Sequence, residues 1–268
     1  MLDIKQIEFF YPEYLKSFKR NLLREYLQYK ILEMIFDSKF GETLSFMGGT
    51  AIHLIHSNKR FSEDLDFDNI GLTKKGFEEL VKLIKKGLEL EGYTVETKNV
   101  FRGAYRSYLK VPNILFDNEL SKHRDEKMVI QIDVEPQGIK YTPDKMIINK
   151  FDVFLRINMV PLDILLAQKI YAIFKRKRAM GRDFYDAVFL FGMTKPNLDY
   201  LKLKLNIKDM ADLKRKLLLK CESFNFKQLA RDVEPFLFNP SESKKVLLFY
   251  DYMTTATTSF TQKTVTTS

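Results

Sequence analysis

The sequence is poor in the residues that staple a fold covalently or through zinc. It has one cysteine, Cys221, in 268 residues, so no internal disulfide can form, and a single thiol fits a reducing cytoplasm. Its three histidines are His53, His56 and His123, and no cysteine or glutamate completes a zinc signature around them. His53 and His56 therefore read as packing or surface residues. No run of about 18 uncharged apolar residues occurs, which argues against a membrane-spanning helix. The opening MLDIKQIEFFYPEYLK is mixed in charge and lacks the apolar core of a signal peptide. Three strings are also missing: the P-loop G-x-x-x-x-G-K-S/T, the dinucleotide fingerprint G-x-G-x-x-G and the nucleophile elbow G-x-S-x-G.

What is present describes a folded chain. Hydrophobic residues make up 45% and charged residues 29%, a balance that excludes disorder. A chain of about 300 residues buries roughly 75% of its unfolded surface, so its core needs no staple. The length suits one large domain or two modest ones. The net charge of +9 is unevenly placed. Residues 1–160 hold 25 Lys and Arg against 24 Asp and Glu, whereas residues 161–268 hold 19 against 11. A basic second half points to a polyanionic partner, because each phosphate neutralised releases counterions.

The pattern of apolar residues divides the chain into a mixed α/β part and a helical part. Residues 12–38 read as one or two helices, with Pro12 suited to a first turn. Thr43–Met47 reads as a short strand running into Gly48, Gly49 and Thr50. Ala51–Ser57 reads as helix, and Glu63–Asp68 as strand. Thr73 caps a helix that stops at Gly92. Strands follow at Tyr93–Lys98, Tyr105–Val111, Met128–Glu135 and Phe151–Arg156. Beyond Pro161 the expected helices are Leu162–Arg178, Phe184–Phe191, Asp209–Cys221 and Ser241–Tyr252. The expectation is an α+β fold. Residues 1–158 form a domain with a mixed sheet, 159–252 a helical bundle, and the Thr-rich 253–268 a disordered tail.

Chemistry concentrates between residues 46 and 67. Without Cβ atoms, Gly48 and Gly49 let the backbone approach a phosphate, and the next helix start offers unpaired N–H groups. Thr50 adds a hydroxyl. Downstream, residues two apart on a strand share a face, so Asp64 and Asp66 project together. Two neighbouring carboxylates repel unless a cation sits between them, and Mg²⁺ is held by such pairs together with substrate phosphates. A calcium loop is excluded, because its sixth and twelfth places fall on Asn69 and Lys75. Paired metals ask for a further acid on a neighbouring strand. The segment 128–135 offers two on one face, Asp133 and Glu135.

The order of these parts is that of polymerase-β-type nucleotidyltransferases. More narrowly, Gly48-Gly49-Thr50-Ala51 followed by Arg60, Ser62, Asp64, Leu65, Asp66 and Phe67 resembles the abortive-infection AbiEii-type toxin family. The later stretch 165–186 resembles the family's L-A-x-K and R-D-x-x-D motifs, with Lys169, Arg182, Asp183 and Asp186 in place. Gln168 stands where many members carry Glu. The resemblance spans roughly residues 45–190. It implies an N-terminal polymerase-β-like nucleotidyltransferase domain followed by a helical bundle. It further implies an NTP substrate and two Mg²⁺ ions, about 3.5–4 Å apart, on Asp64, Asp66 and Asp133. On that pattern the nucleotide is bound by Gly48, Gly49, Thr50, Arg60, Ser62, Lys169 and Asp183. Lys169 steadies the outgoing pyrophosphate, and Asp186 or Asp183 orients Lys169 or the base. The implied acceptor is RNA, such as the tRNA 3′ end, with a protein hydroxyl as an alternative. The implied setting is a toxin restrained by a separately encoded antitoxin. The rival expectations are a metal-dependent nuclease using the same acids and a nucleotide- or RNA-binding module without turnover. A basic cluster, Lys175–Arg178, is a further candidate for nucleic-acid contact.

Overall fold

The structure is a computed structural model and describes residues 2–255. The chain forms two compact units, the first ending at Pro161 and the second beginning at Leu162. In the first unit the helices are α1 (Ile4–Glu8), α2 (Lys19–Phe36), α3 (Gly48–His56), α4 (Lys74–Leu90) and α5 (Ile114–Asp117). The strands are β1 (Leu44–Met47), β2 (Leu65–Asn69), β3 (Glu96–Arg102), β4 (Ala104–Val111), β5 (Met128–Glu135), β6 (Asp144–Lys150) and β7 (Val153–Met159). They form one sheet in the order β3-β4-β5-β2-β1-β7-β6. It is mixed: β5 runs parallel to β2 and β1 parallel to β7, while the other neighbours are antiparallel.

The core follows from two periodicities. On the sheet, Phe46, Phe67, Leu109, Ile130, Ile132 and Val134 are buried. On α4, Phe77, Leu80, Val81, Ile84 and Leu88 recur at helical spacing and are all buried. Helix α2 packs on α4, β5 and β7, and α4 packs on β3 and β4. One sheet face is therefore roofed by helices. On β4 and β5 the intervening residues, Arg106, Tyr108, Gln131 and Asp133, lie on the opposite face.

A buried polar tie fixes α3 against its neighbours. Glu25 of α2 accepts from Lys150 Nζ at 2.7 Å and meets His53 Nε2 at 2.8 Å. The other ring nitrogen of His53 faces the Asn58 carbonyl at 2.7 Å. His53 is buried, with both ring nitrogens in contact with protein oxygens.

The second unit contains α6 (Leu162–Lys175), α7 (Gly181–Phe191), α8 (Leu198–Leu205), α9 (Met210–Cys221), α10 (Phe226–Val233), α11 (Lys244–Leu247) and α12 (Phe249–Thr255). Helix α7 packs on α6 and on α10. The approach of α7 and α10 depends on Gly181, since a Cβ there would run into the Leu229 carbonyl. Backbone cannot rotate aside as a side chain does. Gly181→Ala should cost about 1–3 kcal/mol and lower the melting temperature by roughly 2–10 °C, measured by thermal denaturation.

Several boundaries differ from the sequence expectation. The first long helix splits into a 3₁₀ segment, Glu13–Phe18, and α2. The segment 241–252 breaks into short pieces rather than one helix, with a 3₁₀ turn at Pro240–Ser243 before α11 and α12. Of the expected disordered tail, Met253–Thr255 instead close α12, and residues 256–268 lie outside the described residues.

Candidate active site

The site starts at the junction of β1 and α3. The helix begins at Gly48, three residues earlier than expected, so both glycines lie in its first turn. Gly48 has φ +80°, a conformation costly for residues bearing a Cβ. It also lies directly against Asp66: a Cβ at 48 would collide with that carboxylate. Gly49 leaves room for the Arg60 guanidinium and for Ser62 Oγ, which is 2.9 Å from where a Cβ would stand. The glycine pair thus does more than bend the chain. It lets the helix N-terminus, with its unpaired amides and positive dipole end, abut an acid and an arginine.

The loop from β-bridge residue Arg60 to β2 is anchored from beneath. Thr50 is fully buried and its hydroxyl donates to the Asp64 carbonyl. Gln28 Nε2 donates to the Ser62 and Glu63 carbonyls at 3.0 Å each. Arg60 is 1% exposed and donates to the Phe61 carbonyl at 2.9 Å. Thr50 and Arg60, expected to meet nucleotide, are therefore placed within the protein, where they hold the loop that carries Asp64. Ser62 and Asp64 are half-buried.

The acids are arranged by strand register. Strand β2 begins at Leu65, so Asp64 precedes it instead of lying within it. Asp66 is paired with Met47 on one side and with Asp133 on the other. Because β2 and β5 are parallel and in register there, Asp66 and Asp133 stand side by side on the same sheet face. Asp133 is not bare. Arg106, its register partner on β4, donates to it through Nε and, at 3.1 Å, through Nη2. Gln131 Nε2 donates to it at 2.7 Å. Glu135, the other acid of that segment, stands in register with Asp68. Asp68 is occupied, accepting from the Gln137 amide at 2.8 Å and from Tyr141 Oη at 2.7 Å.

This donor set suits a hard divalent cation, being made of carboxylate oxygens only. Asp64 and Asp66 carry oxygens of that kind, and those of Asp133 are taken by Arg106 and Gln131. No three His, Cys, Asp or Glu side chains are gathered in a metal-holding cluster among the described residues.

The helical unit brings its own motif residues together. Lys169 Nζ lies 2.8 Å from Asp186 and 3.3 Å from Asp183. Arg176 Nε lies 2.7 Å from the other Asp183 oxygen. Asp183 and Asp186 are at most 1% exposed and Lys169 is 9% exposed. The i, i+3 spacing of the two acids on α7 puts both on one face, toward α6 and its lysine. In the exposed cluster Lys175–Arg178, Arg176 is used in this way and Arg178 pairs with Asp232 at 3.3 Å.

Comparison with known families decides what this assembly is. The profile of one family, described as "Nucleotidyl transferase AbiEii toxin, Type IV TA system", matches residues 30–241. The chain belongs to this family. As an AbiEii-family member it is a nucleotidyltransferase of toxin–antitoxin type, and the likeness read from the glycine turn and carboxylates holds over both units. No curated protein sequence matches it. Two crystal structures from Helicobacter pylori share its fold. One is JHP933, with a TM-score of 0.51 and 16% identity over 90% of this chain and 96% of that one. The other is a candidate nucleotidyltransferase, with a TM-score of 0.53 and 15% identity over 90% and 98%.

The AbiEii motifs do not name Arg106, the residue the sequence reading missed. Its grip on Asp133 is a cross-strand relation that appears only once β4 and β5 are in register. A signal was available nonetheless: Lys98, Arg102, Arg106 and Lys110 recur at even spacing along two strands.

Proposed function

We propose that this AbiEii-family enzyme moves a nucleoside monophosphate from an NTP to a hydroxyl of RNA, the tRNA 3′ end being the preferred acceptor, with Mg²⁺ as cofactor. The observation that carries the proposal is the register of Asp66 with Asp133 beside Gly48 at the start of α3. The amides of Gly48, Gly49 and Thr50 bind phosphate oxygens at the helix N-terminus. Asp64 and Asp66 would hold Mg²⁺, which would supply positive charge at the in-line transition state. Asp133, once released by Arg106, accepts the proton of the acceptor hydroxyl. That oxygen bonds the α-phosphorus as the bond to the β-phosphate oxygen breaks, and pyrophosphate leaves. For Lys169, Asp183 and Asp186 a part in nucleotide handling rests on the motif alone. An antitoxin restrains the enzyme in the cell.

The test is incubation with each labelled NTP, Mg²⁺ and total RNA, beside Asp64→Ala/Asp66→Ala. Label entering small RNA with wild type alone is expected. RNA shortening without NTP would replace the proposal with a nuclease. Nucleotide binding that survives the double substitution, with no product from either protein, would replace it with a binding module.

A further inference from the structure

The hairpin of β3 and β4 carries a face that transfer chemistry alone does not explain. Lys98, Val100 and Arg102 of β3 and Ala104, Arg106, Tyr108 and Lys110 of β4 line an open depression of about 580 Å³. Four of the seven are cations and none is an acid. Lys98 and Arg102 are exposed; Arg106, Tyr108 and Lys110 are half-buried. Among the described residues, Lys98, Arg102 and Lys110 form no ion pair, whereas two of the four cations in Lys175–Arg178 do. The net charge of the first half is near zero, so this concentration of positive charge is local.

Its position is as telling as its charge. Val100 is in register with Arg106, Arg106 with Asp133, and Asp133 with Asp66. These four residues form one row across four strands, about 14 Å long at ordinary strand spacing. In the next row Lys98 pairs with Tyr108, and Tyr108 with Gln131. The cationic face and the carboxylates are thus continuous on one side of one sheet.

We propose that this face is the track along which single-stranded RNA runs to the carboxylates. Lys98, Arg102 and Lys110 hold phosphates, and the Tyr108 ring stacks a base. An open sheet face with cations around an aromatic ring suits unpaired bases, which present π-faces that a duplex hides. The proposal rests on the transferase reading, whose acceptor it places. Arg106 stays outside the test because it grips Asp133.

The test is fluorescence anisotropy of the full chain with a short labelled single-stranded RNA, titrated at several salt concentrations. Lys98→Glu/Arg102→Glu/Lys110→Glu should weaken binding at least about 30-fold and reduce the log–log salt slope by about 2. Tyr108→Ala should weaken it about 10-fold, and Tyr108→Phe should restore it. Lys75→Glu/Lys82→Glu/Lys86→Glu, with equal charge change on α4, should stay within about threefold of wild type. Circular dichroism guards against a misfolded variant. Equal losses from the two triple variants would overturn the proposal, as would tighter binding of duplex RNA or of single-stranded DNA. Pyrophosphate release by wild type is followed in parallel. Transfer with an unaffected triple variant removes the track and keeps the transferase; a weakened variant without any transfer does the reverse.

Discussion

Asp66→Asn is expected to lower kcat/KM for nucleotide transfer by roughly 10³-fold while leaving the melting temperature within a few degrees of wild type. The substitution keeps the size of the side chain, so the contact with Gly48 survives. What goes is the negative charge beside the α3 N-terminus, in register with Asp133. A residue that only packs against the glycine turn would tolerate this change. Steady-state kinetics with a saturating NTP, paired with a thermal melt, separates the two cases. Activity within tenfold of wild type would remove Asp66 from the chemistry.

The second large effect concerns stability. Burial alone would raise the carboxyl pKa of Glu25, but His53 and Lys150 outweigh it and hold it at about 2. Glu25→Gln removes the carboxylate that Lys150 and His53 both contact, a loss of roughly 3–5 kcal/mol for a buried pair. For a protein of this size that is a fall in melting temperature of roughly 6–20 °C at pH 7. The sign with pH follows from the depressed value. The carboxylate's contribution is fully present above its ordinary value of 4.5 and is lost as pH falls toward 2. The gap between wild type and Glu25→Gln should therefore narrow from pH 4.5 downward. A gap constant over that range would mean the ionised carboxylate contributes nothing. Because His53 lies on α3, the variant should also loosen the helix whose first turn meets Asp66.

How legible this was from the chain varied with the range of the interaction. Helix α4 was legible almost to the residue: Thr73 caps it, its apolar stripe is unbroken, and Gly92 follows with φ +93°. Strand β5 was read with its true ends, because its alternation is strict. Strand β6 was missed, since DKMIINK mixes charge and apolar residues at an exposed edge of the sheet. Helices α8 and α10 are two turns long and too short to show a period. At the site, the glycines and acids were visible as types and spacings. Their consequences were not: the Arg106 clamp, the buried Arg60 and the inward Thr50 all depend on contacts between distant segments. Local chemistry can be read along a chain, but who neutralises whom cannot.

Among the described residues strand β3 ends the sheet, so one rank of its backbone N–H and C=O groups has no neighbouring strand there. Such a margin invites a second copy to add itself, and nature commonly deters this with lysines and other charges. Lys98 and Arg102 then guard solubility whatever else they bind. Neutral replacements at these sites would invite self-association and blur any functional result, which is a reason to reverse the charges instead of erasing them. It also means that selection for a stickier or more apolar rim would be opposed twice, once by aggregation and once by the ligand.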